Sequence, residues 1–257
     1  MKRYVLVGLL VTAGVLISLA PVSLLKPLLP APGSVIELQQ LGGTLWRAGA
    51  VLSHEGRPLG DLRWQLEPAA LLQGRLSYAF QLSGPDAQAT GTAARGFSAA
   101  HLRLDGTLAA APLQPLLRRY ELNVPGEFKL DDIRATVEGT TPVALAGNLR
   151  WSGGRVSFPQ GERLATIALP AMAAVLQLDG EQQPLAEVFE STGNATADSA
   201  AGAGRDQGAH PLLILTALHS GFVKIAVTRK LTRLAGMPWP GSEPDHAVVL
   251  EVEQQVF

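Results

Sequence analysis

The sequence predicts a mainly β protein: a large curved antiparallel sheet, built as a meander with one or two short helices and preceded by one N-terminal transmembrane helix. Three observations carry this expectation. Apolar residues recur with period two through most of the chain, the mark of strands with one dry face and one wet face. Turn signals separate these runs at intervals too short for crossover helices, so neighbouring strands pair antiparallel. An uncharged apolar run, Val5 to Leu25, stands at the N-terminus.

That run is flanked by Lys2 and Arg3 on one side and Lys26 on the other. As a helix it would be roughly 30 Å long, the thickness of a bilayer's hydrocarbon core. Ser18-Leu19-Ala20 resembles a signal-peptide cleavage site, but Pro21 would follow the cut and is expected to block it. The run therefore reads as a retained anchor. Positive charge on the leading side puts the N-terminus in the cytoplasm and the body across the membrane. Pro27, Pro30 and Pro32 then make a stiff spacer that cannot be a helix interior.

In the body, Leu62, Trp64 and Leu66 alternate with Asp61, Arg63, Gln65 and Glu67, and Leu76, Tyr78, Phe80 and Leu82 alternate with Arg75, Ser77, Ala79 and Gln81. Leu102, Leu104, Phe128 and Leu130 continue the even parity. At Asp131-Asp132 it switches to odd, giving Ile133, Ala135, Val137, Val143, Leu145, Leu149 and Trp151. A one-residue slip would turn the wrong face inward, so a β-bulge or strand break belongs at this pair. Later candidate strands are 164–169, 173–178, 222–228 and 247–252. Leu113, Leu116, Leu117 and Tyr120 recur at helical spacing after Pro112, and Gln183 to Glu190 reads as a second, weaker helix. Ser191 to Ala209 holds no apolar residue larger than alanine and reads as a flexible loop. The expected division is a cytoplasmic start (1–4), the anchor (5–25), the spacer (26–33), a periplasmic β domain (34–190), the loop (191–209) and a C-terminal β segment (210–257).

Composition removes several functions. The chain has 257 residues, a net charge of −1 and no cysteine, so nucleic acid is not an expected partner and thiolate metal sites, thiol nucleophiles and disulfides are excluded. The five histidines show no ligand spacing. Asp131 and Asp132 are adjacent on an extended chain, where their carboxylates would point to opposite faces, so no metal site is expected there. No nucleophile elbow, dinucleotide fingerprint or P-loop is present, and neither an enzymatic activity nor a cofactor is expected. Lys224, Arg229, Lys230 and Arg233 form a basic cluster that reads as a solvated strand end, with an anionic partner as the alternative.

What stands out is scaffold. Gly42-Gly43-Thr44-Leu45-Trp46-Arg47-Ala48-Gly49-Ala50-Val51 returns in looser form at Gly147-Asn148-Leu149-Arg150-Trp151-Ser152-Gly153-Gly154-Arg155-Val156, as two matching corners of a sheet. Trp46, Trp64 and Trp151 read as rings capping the core.

The first of these stretches, followed by Leu62-Arg63-Trp64-Gln65-Leu66-Glu67-Pro68, by Leu72 and Gly74-Arg75-Leu76, and later by Gly147-Asn148-Leu149-Arg150-Trp151, resembles protein N of the bacterial type II secretion system, from the anchor to about residue 180. The resemblance implies a single-pass inner-membrane protein of a Gram-negative bacterium with its body in the periplasm. It implies a part in exporting folded proteins across the outer membrane alongside other secretion-system subunits. It carries over no catalytic residues. The motif residues are Gly43, Leu45, Trp46, Trp64, Pro68, Gly147, Leu149 and Trp151, structural positions with a potential role in interaction. The alternative is a periplasmic β-groove module that binds or transfers lipid or another apolar ligand.

Overall fold

The computed structural model describes residues 20–23, 36–54, 56–118, 121–160, 163–191, 210–218, 220–237 and 239–255. The expected cytoplasmic start, nearly all of the expected anchor, the spacer and the 192–209 part of the expected loop lie outside these residues. Of the 5–25 span only 20–23 is described: Pro21 forms a β-bridge with Thr44, and the next two residues make a 3-10 turn. Among the described residues no helix is long and apolar enough to cross a membrane.

The chain forms two compact units, Met1–Phe97 and Ser98–Phe257. In the first, β1 (Ile36–Gly43), β2 (Arg47–His54), β3 (Arg57–Leu66), β4 (Leu76–Ser83) and β5 (Ala87–Arg95) form an antiparallel meander, interrupted by one helical turn, α1 (Pro68–Leu71). Cross-strand register sorts its side chains into rows. Ala50, Leu62, Leu82 and Ala89 share one row, and Ala48, Trp64, Phe80 and Gly91 the next, all on the apolar face. Arg47, Gln65, Ala79 and Thr92 form a row on the other face, as do Gly49, Arg63, Gln81 and Thr90.

The second unit holds β6 (Ala99–Ala109), a 3-10 turn (Ala111–Leu113) running into α2 (Gln114–Arg118), β7 (Glu127–Glu138), β8 (Thr141–Trp151), β9 (Gly154–Gln160), β10 (Arg163–Leu169), β11 (Met172–Leu178), β12 (Pro184–Glu190), β13 (Leu213–Ala217), β14 (Phe222–Thr228), α3 (Arg229–Leu234) and β15 (Val248–Gln255). Its strands pair in the order β6-β7-β8-β11-β12-β13-β14-β15, while β9 and β10 stand apart as a hairpin. β13, β14 and β15 thus extend the sheet, strand upon strand.

Period-two alternation gives this sheet continuous apolar rows on one face, while Val175, Leu185, Phe189 and Ile214 lie on the other. Gly106, Leu130, Leu149, Ala174, Val188, Leu213, Val227 and Leu250 are successive partners across all eight strands. A parallel row runs Gly147, Leu176, Ala186, Leu215, Ile225 and Val252. Few of these side chains are fully buried; the largest that are in the described chain are Leu212, Thr228 and Ser53. Leu102, Leu250 and Val252 remain 40%, 41% and 43% exposed.

The parity switch at Asp131-Asp132 is a bulge. Asp132 has φ of 48°, and register shifts occur both between β6 and β7, at Leu104 to Gly106, and between β7 and β8, at Asp131 to Arg134. The extra residue swings Asp132 outward, so both carboxylates serve the polar face, contrary to the opposite-face placement expected of a regular strand.

Two further expectations are corrected. Gln183 to Glu190 is no helix: Gln183 belongs to a turn and Pro184–Glu190 is β12, paired with β11 on one side and β13 on the other. Three short α-helices are present among the described residues, against one or two expected; α1 and α3 were not foreseen, and only α2 coincides with the expected helical stripe. Tyr120, at the end of that stripe, lies outside the described residues.

Candidate functional site

The motif residues occupy different structural roles. Gly43 ends β1 with φ of 108°, and a Cβ there would lie 2.5 Å from the Arg47 carbonyl oxygen, so only glycine lets the chain fold back so closely. Thr44 closes the turn, its N–H donating to the Arg47 carbonyl at 2.9 Å and its Oγ1 accepting from the Arg47 N–H at 3.3 Å. Leu45 and Trp46 sit half-buried in that turn, and the Trp46 carbonyl accepts from the Leu66 N–H at 2.7 Å. Trp64 lies mid-strand in β3, and Pro68 opens α1, where its missing N–H costs nothing.

The second copy is built otherwise. Gly147 faces the β7 bulge: a Cβ on it would stand 2.7 Å from Ile133 Cα. Leu149 lies in the apolar row, and Trp151 ends β8, buried, with its Nε1 donating to the Pro125 carbonyl at 2.8 Å. Trp46 is in a turn before a strand and Trp151 at the end of one, so the two stretches are not matching corners. Trp151 belongs to the core, whereas Trp46 and Trp64 are half-buried.

On the polar face of the first unit an open furrow of about 760 Å³ crosses the strands. It is lined by the two polar rows, Arg47, Gln65 and Ala79 on one wall and Gly49, Arg63, Gln81 and Thr90 on the other, with the row Gly43, Ala48, Trp64, Phe80 and Gly91 between them. The neighbouring apolar rows do not line it, so that middle row contributes backbone as the floor. Gln65 Oε1 accepts from Arg47 Nη2 at 3.1 Å. Neither Arg47 nor Arg63 has a carboxylate within ion-pair distance among the described residues. Sequence reasoning quoted both arginines inside the motifs but did not single them out. The odd-parity residues of three successive strands, read together, would have.

Polar groups of the second unit are largely paired with one another. Asp131 accepts from Arg150 Nε at 2.8 Å and also from Arg150 Nη2, and meets Lys129 Nζ at 3.3 Å. Burial alone would raise this carboxyl, but the hydrogen bonds from Arg150 and then Lys129 outweigh it and hold the group below the usual aspartate range. Asp132 pairs with Arg103 at 3.0 Å and Arg134 at 2.5 Å. The basic cluster is satisfied internally: Lys224 by Glu251 at 3.1 Å, Lys230 by Glu190 at 2.9 Å, Arg233 by Asp245 at 2.7 Å, and Arg229 by the Gly241 and Glu243 carbonyls. These contacts favour the solvated-surface reading of the cluster. Of the histidines, His210 and His246 stack with ring centroids 4.3 Å apart. Among the described residues no group of three or more His, Asp or Glu could hold a metal ion.

Comparison with known proteins bears on what this scaffold serves. The family model described as type II secretion system (T2SS), protein N, matches residues 34–208. The chain belongs to the type II secretion system protein N family. It is 28% identical over 171 residues to the type II secretion system protein N of Aeromonas hydrophila, covering 63% of this chain and 68% of that protein. It is 28% identical over 195 residues to the protein of the same description from Vibrio cholerae, covering 71% and 77%. No solved structure matches. The family match starts beyond the apolar run and includes both Trp-containing stretches, the furrow and the β7 bulge. Membership implies a role in the secretion machinery and makes its other subunits the plausible partners.

Proposed function

We propose that this chain is a non-enzymatic component of the type II secretion machinery, tethered in the inner membrane by the apolar run that begins at Val5, with its β body, which Pro21 already joins at Thr44, in the periplasm. There it supports export of folded proteins by contacting other subunits. The observation that carries this reading is the family match across 34–208, which spans strands of both units. The residues that distinguish the chain are consistent with a scaffold: glycines at close backbone approaches, ring residues and a bulge locked by ion pairs. Deleting the gene in its native host and measuring release of folded exoproteins alongside outer-membrane integrity tests the proposal. Exoproteins retained in the periplasm behind an intact envelope support it, and normal secretion with a leaky envelope overturns it.

That second outcome belongs to the lipid reading, which one observation favours. The apolar rows run on from β6 to β15, and β13, β14 and β15 lengthen them. Large apolar side chains at 40% exposure or more on such a face suit an acyl chain as well as a protein partner.

A further inference from the structure

The furrow in the first unit stands on the geometry of a single sheet and is independent of the secretion reading. We propose that it is a binding site for an extended, acidic peptide segment of a protein partner, clamped between Arg47 and Arg63.

The two guanidiniums stand on opposite walls and on adjacent strands, β2 and β3. Gln65 steadies Arg47 through one N–H, and among the described residues no carboxylate takes the others. Gly49 supplies the room: it has no side chain at the point where the Arg63 stem crosses, 3.8 Å from where a Cβ would sit. Asp61 is the nearest acid on the same face of β3, two positions from Arg63, and it makes no ion pair with it. In the second unit, by contrast, Arg103, Arg134 and Arg150 each meet a carboxylate. Two unpaired guanidiniums facing one hollow are a site for carboxylates, which arginine binds through paired N–H donors.

Shape points to a chain and not to a single anion. The furrow crosses five strands, a span of about 19 Å at ordinary strand spacing, enough for roughly six residues of extended peptide. Its walls beyond the arginines carry Gln65, Gln81 and Thr90, which can donate to and accept from peptide groups along that length. The floor's own backbone groups are engaged in the sheet ladder, so they do not form the N–H cradle that grips a phosphate. A bilayer surface is a poor fit to a recess with two cations.

The test uses the purified full chain and a fluorescein-labelled octapeptide of alternating glutamate and alanine, with binding followed by anisotropy at low salt. Arg47→Gln and Arg63→Gln should each weaken binding about tenfold or more, as expected for loss of a charge-assisted hydrogen bond. Arg75→Gln, exposed in the same unit but outside the furrow, should bind as wild type. Gly49→Leu should abolish binding by filling the hollow. Its backbone is not left-handed and its Cβ would meet nothing closer than 3.5 Å, so the fold tolerates it. Thermal unfolding midpoints check that each variant is folded; both arginines are exposed, so their variants decide the question even if Gly49→Leu is unstable. Equal binding by wild type, Arg47→Gln and Arg63→Gln overturns the proposal. So does equal loss in Arg75→Gln, or Arg63-dependent binding to phosphatidylglycerol vesicles with none to the peptide.

Discussion

Trp151 shows how much one side chain can do in a sheet with so few buried groups. It is 8% exposed, and its indole N–H donates to the Pro125 carbonyl. Trp151→Ala removes both the packing and the hydrogen bond, and should lower stability by about 3 to 5 kcal/mol in urea unfolding, the usual cost of deleting a buried aromatic. Trp64 is only half-buried, so Trp64→Ala should cost clearly less in the same measurement. Asp131 makes a different prediction, through pH. Its carboxyl is held below the ordinary value near 3.9, so the stability it contributes is present above that pH and is lost as pH falls through the depressed native value. Asp131→Asn should therefore be less stable than wild type at neutral pH, and the gap should close at strongly acidic pH. Urea titrations across pH 7 to 2 would show it; a gap independent of pH would mean that the asparagine disturbs the bulge itself.

At the scale of elements, the β11 to β12 hairpin rests on Asp179, whose Oδ1 accepts from the N–H groups of Glu181 and Gln183, each at 2.8 Å. Asp179→Ala should destabilise the protein by about 1 to 2 kcal/mol by releasing two donors in the turn, while Asp179→Asn, which keeps the acceptor, should recover most of that loss in thermal unfolding. This hairpin is also where sequence reading failed, and the reason is physical. Leu185, Glu187 and Phe189 alternate with Ala186, Val188 and Glu190, and all are half-buried because β12 is an interior strand. A strand that is partly dry on both faces loses the polar alternation that betrays a half-buried strand, and leucine, alanine and glutamate suit a helix equally. The strands of the first unit were legible because Leu62, Trp64 and Leu66 face one way and Asp61, Arg63 and Gln65 the other. The bulge was legible because a parity change has few other causes. Neither the furrow nor the closure of the basic cluster was, since each depends on which strands become neighbours, and register across strands is not a property of any one stretch.

For the molecule as a whole, the decisive feature is that the second unit carries continuous apolar rows on one face and most of its ion pairs on the other. A sheet that leaves such a row exposed in water does so at a cost in solubility, so the face is expected to meet something apolar. Family membership makes a secretion-system protein the first candidate and a lipid the second. A photocrosslinking amino acid placed at Leu102 or Val252, both on that face and both about two-fifths exposed, reports the contact without disturbing packing. The same probe at His101 or Glu253 tests the opposite face from the adjacent positions in the same strands. In cells carrying the whole machinery, Leu102 and Val252 should capture another secretion-system protein while His101 and Glu253 should not. Lipid adducts at Leu102 and Val252, identified by mass spectrometry, would instead make the apolar face a lipid surface. Equal capture from both faces would mean that the separation of apolar and charged rows stabilises the sheet and plays no part in choosing its partner.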